Sequence, residues 1–334
     1  MGLRLFTNLT LALLVVAPSV ALAANCRDLY AELAPRGVFL SSADSVAVPQ
    51  YLVNGQRAYR RAAEYLRAER SAGTDAEAFT EMLKASHRDL VLGEDGRGAF
   101  SHPGSDGHSF NTINVRAGEF RAHVPTYRFR MSDSREKAGE GLLRELARDS
   151  GHLTGASERV SPSGPLGRPL EQREVTLEYS IRLPSEDDSP SDGALLSKRA
   201  LSFIRDKSNG EVRVDGFTVR YPPAAELPKL TSQMGRLYGE LSRLTRGGAL
   251  SEADRSHAVD VLADYVQLGA VAHLFERVNM SLVMIQANAA LERLGMPQVY
   301  HGALDLYANA LDSASFRSLF RKYLSDPANH VRPI

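Results

Sequence analysis

Two stretches in the C-terminal third of the chain admit one kind of environment. Residues 259–272 (VDVLADYVQLGAVA) and 282–291 (LVMIQANAAL) are apolar on nearly every side at helical spacing. A helix that is apolar all round is a buried one. The two therefore predict the centre of a helical bundle, wrapped by helices that each offer a single apolar stripe. With 334 residues the chain is long enough for one large or two modest domains with a real core. It carries a single cysteine, which excludes an internal disulfide, a cysteine-based zinc cluster and a CxxC redox site. The fold must hold by packing.

The stripes are present on both sides of the central pair. Tyr51, Tyr59, Ala62, Tyr65 and Leu66 fall at helical spacing. Phe79, Met82, Leu83 and Leu90 then share one face of a helix over 76–92. Residues 93–114 read as a Gly/Ser/His loop, with short strands around 113–115 and 127–131 and a helix over 134–147. A Gly/Ser/Pro linker occupies 150–169, a strand 175–181 and an acidic loop 185–193. Residues 195–204 form a short helix or strand. Asn209-Gly210 joins it to the alternating stretch 212–221, the best hairpin or flap in the chain, which Pro222-Pro223 ends. Helices follow over 225–245, from a capping box at Ser251 and Asp254 to 272, over 281–294 with Gly295 and Pro297 as the stop, and over 302–311 and 315–324.

The N-terminus reads as an export signal. Arg4 precedes the apolar run 9–16, and Ala21-Leu22-Ala23 places small residues where signal peptidase reads. Cleavage after Ala23 predicts export through the Sec route to the periplasm or beyond, with no stable membrane anchor left. Cys26 then sits near the new N-terminus, and Asn25 stands where a lipoprotein wants a small residue. Forty basic side chains balance forty acidic ones, so no whole-molecule field grips nucleic acid.

The connection between the buried helices, residues 273–280 (HLFERVNM), concentrates a histidine, an arginine and an asparagine. It falls at the bottom of whatever cleft the outer elements leave. It also opens a helix, where backbone N–H groups and the dipole favour an anion.

These residues resemble the Fic (Fido) superfamily, whose signature HPFx(D/E)GNGR lies between two central helices. His273, Phe275 and Asn279 match it. Residues 79–92 followed by Gly118-Glu119-Phe120-Arg121 look like the family's helix and its G-x-[FY]-R segment. Residues 217–228 look like its flap, proline run and next helix, and 286–296 like the helix after the motif. The tail from His301 to Leu324 is more similar to the AvrB-type outliers. The resemblance implies a mainly α, Fic-like helical bundle over 49–325, with a small β-hairpin flap and a mixed α/β insertion at about 122–216. A signal peptide (1–23), an N-terminal segment (24–48) and a tail (326–334) flank it.

The resemblance also implies roles. His273 is the candidate general base, and Asn279 orients the loop and a donor phosphate or caps the next helix. Arg121 meets a phosphate, holds the flap or forms a surface pair. His301 closes over the same cleft or marks a turn. Phe275 is core. The departures are as informative as the matches. The family's acidic metal ligand falls on Arg277, so Mg²⁺ is not expected by the usual ligand, and Arg277 becomes the candidate counter-charge to a diphosphate. The glycines beside the asparagine fall on Val278 and Met280, the phosphate-binding arginine on Ser281, which is then a helix cap or donor contact, and the proline on Leu274. Residues 102–108 hold two histidines and an aspartate without the helical spacing of a zinc protease, and HExxH, P-loop and GxSxG motifs are absent.

Three functions follow as expectations. One is an exported transferase, acting as an effector, that moves a nucleotidyl or related group from a nucleotide or nucleotide-sugar donor onto a hydroxyl of a target protein. The target belongs to a host or neighbouring cell, since the periplasm lacks ATP. Another is a degenerate Fic-fold binding module. The last is an unrelated helical periplasmic protein.

Overall fold

The computed structural model describes residues 49–68, 75–92, 101–103, 109–111, 116–123, 126–129, 140–146, 157–161, 170–181, 194–206, 208–246 and 250–331. The signal peptide, the 24–48 segment with Cys26, the strand expected at 113–115, the acidic loop at 185–193 and the end of the tail lie outside the described residues.

The chain is mainly helical with a small antiparallel sheet. In chain order the helices are α1 (Pro49–Arg67), α2 (Asp75–Val91), α3 (140–146), α4 (Leu227–Leu244), α5 (Glu252–Ala272), α6 (Asn279–Arg293), α7 (Leu304–Ala310) and α8 (Ser313–Ser325). As the apolar pattern predicts, α5 and α6 are central. α5 touches α4, α6, α7 and α8, while α6 also lies against α1 and α2. Val259, Val261, Leu262, Tyr265, Val266 and Val271 of α5 are buried, as is every residue of α6 from Ser281 to Leu291. The two helices approach closely at Gly269, where a Cβ would lie 2.5 Å from Val283 Cγ2.

Local signals set the helix ends. Ser251 caps α5, its side chain accepting from the Asp254 N–H at 3.1 Å. Gly295, at φ +66°, ends α6 in the left-handed conformation that glycine adopts without cost. The helix begins two residues earlier than its sequence suggests, at Asn279, with Val278 as its cap residue. Ser281 is therefore inside the first turn rather than at the cap.

The sheet runs β3-β7-β6-β5-β4, all antiparallel, with β3 at Thr126–Phe129, β4 at Ser157–Ser161, β5 at Leu170–Ile181, β6 at Ala194–Asp206 and β7 at Val212–Arg220. The β6–β7 hairpin turns where Asn209-Gly210 signals it. Gly210 sits at φ +72°, and the Asn209 side chain accepts from the Glu211 N–H at 2.8 Å. Two expectations are corrected here. The 150–169 linker contains β4, an edge strand whose pairing needs only backbone groups and leaves no apolar signature. The loop over 93–114 contains a two-stranded ladder, β1 (Ser101–Pro103) with β2 (Ser109–Asn111).

Leu201, Phe203, Phe217 and Val219 of the sheet pack with Leu143 of α3 and Ala303, Leu306 and Ala310 at α7, forming a second core beside the bundle. Strand β7 then leads through Tyr221 and Pro222 back to the α5–α6 connection. The hairpin is thereby anchored to the loop that carries the candidate site.

Candidate functional site

The connection from α5 to α6 starts and ends on a strained residue. His273 closes α5 at φ 45°, ψ 59°, and Val278 opens α6 at φ 53°, ψ 18°. Among the described residues they are the two non-glycine positions with positive φ. A left-handed conformation costs an L-residue roughly 1–2 kcal/mol, and for a β-branched valine it is a genuine outlier. Val278 thus keeps a conformation suited to glycine without being one.

Asn279 gathers the loop. Its Oδ1 accepts from the Phe275 N–H at 2.7 Å, and its Nδ2 donates to the Phe275 carbonyl at 2.7 Å. Nδ2 also lies 3.2 Å from Nδ1 of His273 and 3.5 Å from Nε2. An amide nitrogen offers only protons, so Nδ1 of His273 acts as acceptor. The amide clips the loop rather than capping the helix. Of the roles expected for the residue, it orients the loop and does not cap the helix.

Arg121 holds the loop from behind. It is 2% exposed, and its guanidinium donates to the carbonyls of His273 at 2.5 Å, His123 at 2.6 Å, Pro222 at 2.7 Å and Ala272 at 3.1 Å. Its own N–H donates to the Leu274 carbonyl at 3.0 Å. Two of these acceptors are carbonyls at the C-terminus of α5, where a cation is favoured. Burial lowers its pKa to about 10, which leaves it charged at neutral pH. Of the roles the sequence allows, Arg121 takes the flap-holding one, through Pro222. Its nitrogens are spent on backbone and do not reach outward to a phosphate.

Phe275 is core, as expected, and fully buried between two rings. Phe120 lies 5.3 Å away, and His87 of α2 stacks on it at 4.0 Å with an interplanar angle of 7°. His87 is itself fully buried and accepts at Nδ1 from the Gly118 N–H at 2.9 Å. Gly118 is at φ +78°, and a Cβ there would lie 2.7 Å from Arg88 Cγ, so the turn requires glycine. His87 carries a recognisable signal in the sequence that no motif marks. It lies four residues after Leu83 and three before Leu90 on the apolar face of its helix, where a polar residue is buried and needs a partner.

The His273 ring is half-buried and stacks on Tyr221 at 4.2 Å and 30°. Burial, together with the charges of Arg121 and Arg277, pushes its pKa down to about 3. The ring is a neutral acceptor throughout the physiological range. Arg277 is exposed at the loop's rim, where Glu276 lies 3.9 Å from His123. Ser281 is 4% exposed in the first turn of α6. His301 is 1% exposed, with Nε2 3.2 Å from Asp305 Oδ1. It is packed inward at the start of α7 and is not a residue that closes over an open cleft.

The structure thus brings His273, Asn279 and Arg121 together around one loop, with Arg277 at its edge. Among the described residues no group of three or more His, Cys, Asp or Glu side chains is placed to hold a metal ion. No helix among them is long and apolar enough to cross a membrane. No family model matches the chain, and no curated protein matches it.

Proposed function

We propose that the protein is a Fic-like module that binds the phosphate-bearing part of a nucleotide-type ligand at the 273–278 loop. Arg277 supplies the counter-charge that a divalent cation would otherwise provide, and the N-terminus of α6 adds its dipole. The observation that carries this reading is the strain. A connection that only joined two helices would relax by placing glycine at its left-handed positions, as Gly295 does at the far end of α6. Strained backbone that the surroundings over-determine clusters at functional sites. Here a buried arginine, a buried histidine and a buried asparagine hold a histidine and a valine in that state.

Binding is favoured over transfer by the chemistry of His273. A general base works best with a pKa near the operating pH, and a ring at about 3 is a poor acceptor for a hydroxyl proton. One observation supports transfer as a second reading. The ring is unprotonated, and an anion beside it would raise its basicity. In that reading His273 takes the proton of a target protein's hydroxyl while the donor phosphate is held by Arg277. Export through the Sec route, to the periplasm or to a target in another cell, belongs to the same proposal.

Incubation with labelled nucleoside triphosphates and nucleotide sugars, followed by intact-mass measurement, separates the two. A binding module retains ligand and gains no mass. Mass gained on itself or on a target, and lost in His273→Ala, establishes the transferase. Failure of all these donors to bind, with or without Mg²⁺, overturns both.

A further inference from the structure

His87, the buried histidine that braces the strained loop, sits on the seam between the bundle and that loop, and the binding reading gives it no contact with ligand. His87 touches three elements at once. It belongs to α2, its Nδ1 accepts from the Gly118 N–H, and its face covers the ring of Phe275. The segment it grips leads within three residues to Arg121, whose guanidinium fixes the carbonyls of Ala272 and His273. The path from His87 to the strained loop is continuous: imidazole, Gly118 turn, Arg121, end of α5.

Because Nδ1 accepts, the neutral ring carries its proton on Nε2. The Arg277 carbonyl lies near the ring and favours a proton there, although Nε2 makes no well-formed hydrogen bond among the described residues. A second proton has only Nδ1 to go to. Uptake there removes the acceptor, sets N–H against the Gly118 N–H, and leaves a cation sealed beneath Phe275. The closed arrangement is therefore incompatible with a charged ring.

We propose that His87 is a proton-sensitive latch, which holds the 116–121 segment and the 273–278 loop in place only while its ring is neutral. The charged side chains on the surrounding elements do not rescue the cation. Lys84 and Arg88 of its own helix, Arg121 of the segment and Arg277 of the loop are all positive. The acids nearby are committed or peripheral: Asp89 pairs with Arg61 of α1, Glu81 lies 3.6 Å from Lys84, Glu119 lies 3.7 Å from Arg116, and Glu276 lies 3.9 Å from His123. Burial holds the ring's pKa down to about 4, so the latch is closed at neutral pH and weakens as pH falls below the ordinary histidine value.

Hydrogen exchange of the full chain, corrected for intrinsic rates, tests this without any ligand, so its failure is separate from failure of the binding reading. Between about pH 7 and pH 5, protection over 116–123 is expected to fall by roughly tenfold or more. His87→Asn keeps an acceptor close to the Nδ1 position and cannot titrate, so protection there should become flat with pH. An equal loss in His87→Asn, or no loss in the wild type, overturns the latch. Should the variant fail to fold, ring resonances of His87 and exchange of the Gly118 amide are followed together in the wild type. Coincident midpoints support the latch and separate midpoints overturn it.

Discussion

Helix α6 is entered and left by two connections built on the same device and finished in opposite ways. At its start Asn279 binds both the N–H and the carbonyl of Phe275, at 2.7 Å each. Near its end Asn288 binds both the N–H and the carbonyl of Val299, at 2.9 and 3.1 Å. Each asparagine turns the chain by occupying one residue's backbone groups. At the exit the left-handed position is Gly295, and the following segment pairs with the tail through Val299 and His330. At the entrance the left-handed positions are His273 and Val278. The exit is relaxed and structural. The entrance stores strain, and additional buried groups are recruited to hold it. That difference, more than any motif, marks the 273–278 loop as the place to look for function.

Arg121 sets the entrance apart, and among the described residues no buried arginine plays the same part at the exit. Arg121→Ala leaves the buried bonds to the Ala272 and Pro222 carbonyls, and the partly buried ones to His273 and His123, without their donor and is expected to cost roughly 3 kcal/mol or more in denaturant unfolding. Arg121→Lys recovers only part of this, since an ammonium cannot replace the planar fork.

The paired asparagines sharpen the comparison. Asn279→Ala and Asn288→Ala should each cost about 2 kcal/mol, by the same loss of two backbone partners. Only Asn279→Ala should move the ring resonances of His273.

Proton linkage separates the two connections by pH. His273 and His87 have folded-state pKa values of about 3 and about 4, below the ordinary unfolded value of about 6.5. The unfolded chain binds more protons than the folded one in this range, so their contribution is complete above about pH 6.5 and is lost as pH falls. Thermal unfolding between about pH 7 and pH 5.5 should show a loss of roughly 2 kcal/mol from the two rings together. Exchange over 271–280 should rise before exchange over 294–300 does.

Exchanging the residues at the left-handed positions gives the smallest effect. Val278→Gly should leave stability within about 1 kcal/mol of wild type, because relief of strain offsets the loss of a half-buried side chain. Gly295→Val should cost roughly 1–2 kcal/mol, although a Cβ there meets nothing within 4 Å. Equal costs at both positions would show that the entrance is not strained.

Much of this architecture was legible in the sequence because it rests on local or periodic signals. The all-round apolar pattern of α5 and α6, the Ser251 cap, the Asn209-Gly210 turn and the Gly295 stop each act within a few residues. The site was legible only as a place. That Arg121 is buried depends on acceptors about 100 and 150 residues away, and no neighbour in the sequence announces them. Val278 contradicts its own propensity, so local reading alone gives it the wrong conformation. His301 carried the chemistry of a cleft residue, but packing at the start of α7 turned it inward.

Isothermal titration of a nucleoside diphosphate in the presence of EDTA, into wild type and Arg277→Ala, tests the proposed binding at the 273–278 loop most directly. Arg277 is exposed, so its removal should change stability by no more than about 0.5 kcal/mol. Metal-free binding in the wild type, weakened about tenfold or more in Arg277→Ala, is the expected result, in keeping with a forked charge-assisted contact. Binding that requires Mg²⁺, or that is unchanged in Arg277→Ala, would contradict it.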